Sequence, residues 1–101
     1  MDDDARLAIE ETIKHILISE LEVSPSILTA SDSNTPLLGR GIGLDSMETL
    51  VLVAGIEKEF DIQVEDADLT VDLFRTIGNL AEYVLQKTAS YNGRSAREVS
   101  R

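Results

Sequence analysis

One stretch decides how this chain folds: residues 45–60 read DSMETLVLVAGIEKEF. Asp45 with Glu48 three positions later is the pattern of a capping box, which predicts a helix from Asp45 to about Phe60. At about 100° per residue, its apolar residues fall into two stripes on roughly opposite sides. One stripe contains Thr49, Leu52, Val53, Ile56 and Phe60, and the other contains Met47, Leu50, Val51 and Ala54. Such a helix is either buried on both sides or exposes one stripe as a docking surface.

Helical periodicity recurs on both sides of this stretch. Apolar residues from Ala5 to Leu17 predict an amphipathic helix over residues 4–20, and Thr76 is the predicted cap of a last helix. A short helix is expected near residues 68–74, and the Pro, Gly, Ser and Asn of residues 22–44 predict a long loop. Its expected anchors are Leu37, Leu38, Ile42 and Leu44. The predicted fold class is all-α: a small four-helix bundle with three longer helices, one short helix and the long loop between the first and second helices.

The size of the chain, 101 residues, fits one domain with a core made mostly of aliphatic side chains, since only 4% of the residues are aromatic. We expect residues 1–88 to form the helical domain and residues 89–101, which lack apolar periodicity, to form a flexible basic tail. The chain contains no cysteine. Disulfides, thiolate zinc sites and a cysteine nucleophile are therefore excluded, and any sulfur chemistry must come from a cofactor.

Charge limits the partners of this protein. Nine basic residues against 19 acidic ones give a formal charge of 9 − 19 = −10. Such acidity argues against nucleic-acid binding, which needs a basic surface that releases counterions, and favours basic protein partners. The acidic start of the chain and the lack of an apolar run near ~20 residues predict a cytoplasmic protein without membrane insertion. We expect it to be a monomer.

The sequence lacks the complete pattern of several common enzyme and metal sites. Gly39, Gly41 and Gly43 lack both the Lys-Ser ending of a phosphate-binding loop and a preceding strand. The acidic run after Phe60 lacks the glycine that a calcium loop needs at its sixth position. A hydrolytic triad on Ser46 would have to use His15, the only histidine, with little room for a substrate cleft. We therefore predict no catalytic residue and no metal site.

A family resemblance begins at residues 43–47, Gly-Leu-Asp-Ser-Met. This segment resembles the Asp-Ser-Leu signature of acyl carrier proteins, with Met47 in place of the usual leucine. Residues 55–62 resemble the end of that family's second helix, and residues 74–80 resemble the approach to its last helix. The resemblance covers roughly residues 5–88. It implies a four-helix fold in which Ser46 carries 4′-phosphopantetheine, whose thiol holds acyl groups as thioesters for fatty-acid, polyketide or related lipid synthesis.

The resemblance also implies roles for the neighbours of Ser46. Asp45 and Met47 would flank the attachment site, where phosphopantetheinyl transferase modifies the serine. The predicted partner surface, read by acyl-transferring and condensing enzymes with basic docking patches, consists of Glu48, Leu50, Val51, Ala54, Glu57 and Glu59. Val51 and Lys58 depart from the acidic run of many fatty-acid carriers, so the chain resembles a stand-alone carrier of a specialised pathway. A peptidyl or D-alanyl carrier, and a helical adaptor without a prosthetic group, are the alternatives.

Overall fold

The computed structural model describes the backbone of residues 2–99 and the side chains of residues 4–89. Over these residues the chain forms four α-helices: α1 (Asp2–Leu21), α2 (Pro25–Thr29), α3 (Ser46–Phe60) and α4 (Ile77–Val99). Two short 3₁₀ helices, Asp66–Asp68 and Val71–Phe74, connect α3 to α4. Residues 2–99 contain no strand. The all-α prediction is confirmed, with three longer helices and one short helix, α2, which lies in the long loop and not near residues 68–74.

The core lies where α1 packs against both α3 and α4. Helix α1 buries one isoleucine-rich stripe, and α3 and α4 each bury one apolar stripe. The buried residues of these three helices include Ile9, Ile13, Ile16, Leu17, Leu52, Val53, Ile56, Ile77, Leu80, Ala81 and Val84. These side chains are all aliphatic, as the composition predicts. Removing this apolar surface from water stabilises the packed arrangement. The three helices therefore do not have to be stable in isolation.

The connections differ from the prediction in two places. The loop over residues 22–44 contains α2, which begins with Pro25 at its first helical position and buries Leu28. Proline suits that position because its missing N–H has no helical partner there. The single short helix expected near residues 68–74 is instead the pair of 3₁₀ helices, separated at Leu69 and Thr70. The predicted anchors of the loop are correct, since Leu37 and Leu44 are buried and Leu38 and Ile42 pack against the core.

The long loop also holds the start of α4. The amides of Ile77 and Gly78 donate to the backbone carbonyls of Thr35 (2.9 Å) and Ser33 (2.8 Å). Thr76 caps the helix as predicted, since its hydroxyl accepts a hydrogen bond from the Asn79 amide at 2.9 Å. The Ser33 hydroxyl in turn donates to the buried carboxylate of Glu10, at 2.7 and 2.9 Å. Because these groups satisfy one another, the loop is fixed to both α1 and α4.

Helix α4 extends further than the sequence indicates. Its backbone stays helical through residues 90–99, where we expected a frayed tail because no apolar stripe is present. Backbone hydrogen bonds can continue a helix without such a stripe, and the segment contains no proline to stop it. Residues 100 and 101 of the predicted tail lie outside the described part of the chain. The division into a domain and a flexible tail stays a prediction.

Candidate functional site

Ser46 is the first residue of α3, and its side chain is exposed. The predicted capping box is present directly around it. The Glu48 amide donates to Asp45 Oδ1 at 2.8 Å, and the Asp45 amide donates to Glu48 Oε1 at 3.0 Å. These two bonds fix where the helix begins without using the Ser46 hydroxyl. The hydroxyl therefore stands at the positive end of the helix dipole, a position that favours a phosphate group.

A tight loop places apolar side chains beside Ser46. Gly43 adopts a left-handed conformation with φ of 85°, and a Cβ at Gly41 would lie 1.8 Å from the Pro36 carbonyl oxygen. Both positions therefore require glycine. The Leu44 amide donates to the Leu37 carbonyl at 2.9 Å. The folded loop brings Leu38 and Leu44 next to the start of α3.

A cleft of about 430 Å³ opens beside the Ser46 hydroxyl. Its volume lies within the range of ~300–1,000 Å³ that is typical of small-molecule sites. The loop supplies one side of the cleft, the start of α3 supplies its base, and the segment between α3 and α4 supplies the other side. Its apolar lining residues are Leu38, Leu44, Leu69, Val71 and Phe74. An apolar chain attached at Ser46 could leave water by entering this cleft.

Helix α3 has one buried face and one exposed face, which resolves the two alternatives for its apolar stripes. We call the stripe with Thr49, Leu52, Val53, Ile56 and Phe60 the inner stripe. Its Leu52 is 0% exposed, whereas Met47 and Leu50 on the opposite stripe are 72% and 51% exposed. Val51 and Ala54 are exposed as well. We call Met47, Leu50, Val51 and Ala54 the outer stripe. Its residues form an apolar patch next to Ser46, and their role as partner contacts stays a prediction.

The three glutamates predicted beside this stripe have different surroundings. Glu48 is engaged in the capping box. Glu57 is half-buried, and its Oε2 accepts a hydrogen bond from the Val64 amide at 2.8 Å. Glu59 is exposed. Glu57 therefore fastens the segment after α3 to the helix, a structural role that the sequence analysis missed because no local pattern links residues 57 and 64.

Two further residues that the sequence did not indicate lie at and behind the segment between α3 and α4: Val71 lines the cleft, and Tyr83 does not. Val71 is 75% exposed at the mouth of the cleft. Tyr83, on α4, donates a hydrogen bond from its hydroxyl to Asp68 Oδ2 at 2.7 Å. Burial, this hydrogen bond and the negative charge of Asp68 all raise the pKa of Tyr83 well above its usual range. The phenol therefore stays protonated, and can donate to Asp68, up to a higher pH than an ordinary tyrosine.

We expect Tyr83 to resist ionisation in the folded protein. Its raised pKa favours the neutral phenol in the folded state, so this stability contribution is complete below about pH 10, the ordinary pKa of tyrosine, and declines as the pH rises further. The measurement is an ultraviolet titration of Tyr91→Phe, which leaves Tyr83 as the only tyrosine. Adding Asp68→Ala should bring the Tyr83 pKa back towards its ordinary value. Titration of Tyr83 near pH 10 in the Tyr91→Phe background would contradict the described contact.

Among the side chains of residues 4–89, no group of His, Asp or Glu could hold a metal ion. His15 lines a shallow groove between α1 and α3 and is not among the residues that line the cleft beside Ser46. No helix within residues 2–99 is long and apolar enough to cross a bilayer.

Known proteins resemble this chain along most of its length. A family model described as "Phosphopantetheine attachment site" matches residues 11–84, which include Ser46 and the cleft. The acyl carrier proteins of Bdellovibrio bacteriovorus and Caulobacter vibrioides are each 30% identical over 81 residues, which are 80% of this chain and 96% of theirs. The mitochondrial acyl carrier protein of Saccharomyces cerevisiae is 34% identical over 61 residues, which are 60% of this chain and 47% of the yeast protein.

Proposed function

This chain belongs to the acyl carrier protein family, and on that basis we propose that it carries acyl groups on a 4′-phosphopantetheine arm attached to Ser46. The covalent cofactor of the family, 4′-phosphopantetheine, supplies the thiol that the chain lacks and holds acyl groups as thioesters. The observation that carries the assignment to Ser46 is the exposed hydroxyl at the capped start of α3, directly beside an apolar cleft.

The residues around Ser46 fit such an arm. The helix dipole of α3 favours the negative charge of a phosphodiester at its first residue. Asp45 and Glu48 keep this end of the helix formed, because their side chains occupy each other's backbone amides. The apolar cleft offers an acyl chain a place away from water, so that the chain is sheltered between partners. The protein itself performs no chemistry on the cargo and acts as a substrate and partner of enzymes.

We place the partner surface on the outer stripe and on Glu59. An apolar patch beside an exposed carboxylate suits enzymes that combine an apolar contact with a basic docking patch. The expected partners are phosphopantetheinyl transferase and the acyl-transferring and condensing enzymes of lipid or polyketide synthesis. Val51 and Lys58 are both exposed on this helix, where they add an apolar side chain and a positive charge. They make the helix less acidic, which favours a carrier whose partners are the enzymes of a specialised pathway.

The test of this function is modification by a promiscuous phosphopantetheinyl transferase in the presence of coenzyme A. Mass spectrometry of the intact protein should show the addition of one phosphopantetheinyl group, and proteolysis should place it on the peptide that contains Ser46. A helical adaptor without a prosthetic group would gain no mass. Acylation assays with fatty-acyl and aminoacyl donors would then distinguish an acyl carrier from a peptidyl or D-alanyl carrier.

A charge reversal on the partner surface should slow association without affecting the fold. Glu59→Lys changes an exposed side chain, so the free energy of unfolding should change by no more than about 0.5 kcal/mol. The rate of loading by the transferase should fall severalfold at low salt, and its dependence on ionic strength should flatten. Mass spectrometry of reactions quenched at successive times, at several salt concentrations, measures the loading rate and its dependence on ionic strength.

Glu57→Lys is the matched comparison on the same helix. This change removes the acceptor of the Val64 amide, so it should cost about 1–3 kcal/mol of stability in addition to any effect on loading. If Glu57→Lys and Glu59→Lys had the same thermal stability, the Glu57 contact would not contribute to the fold. If Glu59→Lys loaded at the unchanged rate at every ionic strength, Glu59 would lie outside the partner surface.

A further inference from the structure

The cleft beside Ser46 has one side that is weakly built on its own. Residues 66–74, which we call the cleft wall, contain the two 3₁₀ helices and place Leu69, Val71 and Phe74 in the cleft. The hydrogen bonds of 3₁₀ helices have poorer geometry than those of α-helices, so short pieces of this kind depend on outside contacts for their position. The position of the cleft wall therefore depends on how α3 and α4 hold it.

The cleft wall is held by hydrogen bonds near each end and by partial packing of Leu69 against the core between them. At one end, Asp68 accepts the hydrogen bond from Tyr83 of α4. At the other end, Leu73 and Phe74 are buried in the core, and Asn79 of α4 donates from its side-chain amide to the Asp72 carbonyl at 2.6 Å. Residues 69–71 lie between these two points. They include Val71, the exposed residue at the mouth of the cleft.

We propose that the hydrogen bond from Tyr83 to Asp68 is a latch that keeps the cleft wall closed over an apolar chain attached at Ser46. This inference rests on the proposed function, because it concerns cargo carried at that site. Tyr83 and Asp68 act as positioning residues, since they line a separate surface hollow on the outer side of the wall and not the cleft itself. Without the latch, residues 66–71 lose this hydrogen bond to α4 and keep only the partial packing of Leu69, while Leu73 and Phe74 stay buried, so the mouth of the cleft opens and the fold remains.

The strength of the contact agrees with this role. A phenol that donates to a carboxylate forms a charge-assisted hydrogen bond, which is stronger than one between neutral groups. Tyrosine is protonated across the neutral range of pH, and the raised pKa of Tyr83 keeps the donor present at higher pH as well. Asp68 is only partly buried, which leaves room for the wall to move outward if the bond is broken.

The first test uses the unloaded protein and hydrogen exchange. In Tyr83→Phe and Asp68→Ala, the amides of residues 69–71 should exchange about tenfold faster than in the natural protein, whereas the amides of α1 should be unaffected. Asp68→Asn keeps an oxygen that can accept from Tyr83 but loses the negative charge, so its amides should exchange more slowly than those of Asp68→Ala. Glu82→Ala, an exposed neighbour on α4, is the control for a general effect on that helix. Equal exchange at residues 69–71 in all these proteins would overturn the proposal.

The second test uses the loaded protein with two cargoes of different length. Hydroxylamine attacks the carbonyl carbon of a thioester, forming a hydroxamate and releasing the thiol. An octanoyl thioester should be cleaved severalfold faster in Tyr83→Phe and Asp68→Ala than in the natural protein, and more slowly in Asp68→Asn than in Asp68→Ala. An acetyl thioester, too short to use the cleft, should be cleaved at the same rate in all four proteins.

The outcomes of these tests separate the latch from the proposed function. Equal acceleration of both thioesters would indicate general loosening and would overturn the latch, as would no acceleration of either. If Ser46 accepts no phosphopantetheine, the proposed function fails, while hydrogen exchange on the unloaded protein still decides whether the contact holds the wall. If Tyr83→Phe does not fold, Asp68→Ala and Asp68→Asn provide the same comparison from the other side of the bond.

Discussion

Replacing Ser46 by alanine should abolish loading with phosphopantetheine and leave the fold unchanged. The hydroxyl oxygen is the atom that would bond to phosphorus, and alanine has none. The start of α3 should persist, because its capping box uses the side chains of Asp45 and Glu48 only. Intact-protein mass spectrometry after incubation with coenzyme A and the transferase measures loading, and circular dichroism measures helix content and the melting temperature.

The control for this experiment is Ser24→Ala, since Ser24 is another exposed serine at the start of a helix. This variant should load like the natural protein. A phosphopantetheinyl group found on Ser46→Ala would place the attachment site on a different residue. A Ser46→Ala protein that lost both loading and helix content would leave the assignment to be decided by Ser46→Thr, which keeps a hydroxyl at the same position.

Leu52→Ala should destabilise the protein by about 2–5 kcal/mol, the usual cost of removing a leucine side chain from a well-packed core. Leu52 is fully buried between α3 and its neighbours. Because single domains are stable by only about 5–15 kcal/mol, such a loss is a large part of the total. Urea denaturation followed by circular dichroism measures the free energy of unfolding.

Leu50→Ala provides the matched comparison, two positions away on the same helix. Leu50 is 51% exposed on the outer stripe, so its loss should change stability by no more than about 0.5 kcal/mol. The same substitution should weaken binding of partner enzymes, because it removes exposed apolar surface that a partner would cover. If Leu50→Ala unfolded the protein while Leu52→Ala was tolerated, the helix would be turned the other way and the proposed partner surface would be core.

The main helices could be predicted from local sequence because each carries its own signals. Asp45 and Glu48 lie within one helical turn, so their capping box is visible as a spacing in the sequence. The buried stripes of α1, α3 and α4 follow the helical repeat. The periodicity of α3 alone could not say which of its two apolar stripes is buried. That choice depends on where α1 packs, and the structure shows Leu52 and Ile56 on the buried side.

The connections were harder to predict, since they depend on contacts between distant parts of the chain. Helix α2 has five residues, too few for an apolar repeat to appear, and its Ser-Pro start is also typical of a turn. The contact of Glu57 with Val64 and that of Tyr83 with Asp68 join residues 7 and 15 positions apart. No periodic pattern connects such residues. The sequence around Glu57 and around Tyr83 gives no sign of these partners, because each residue simply lies on an amphipathic helix.

The two faces of α3 have a consequence for how this protein can evolve. Residues that hold the fold and residues that would meet partners alternate along one helix, yet they point in different directions, as Leu52 and Leu50 show. Substitutions at exposed positions well separated from the core usually have small and independent effects on stability. Mutations can therefore accumulate on the outer stripe under selection for a new enzyme while the inner stripe stays fixed. A duplicated copy of this gene could change its set of partners without first having to gain stability.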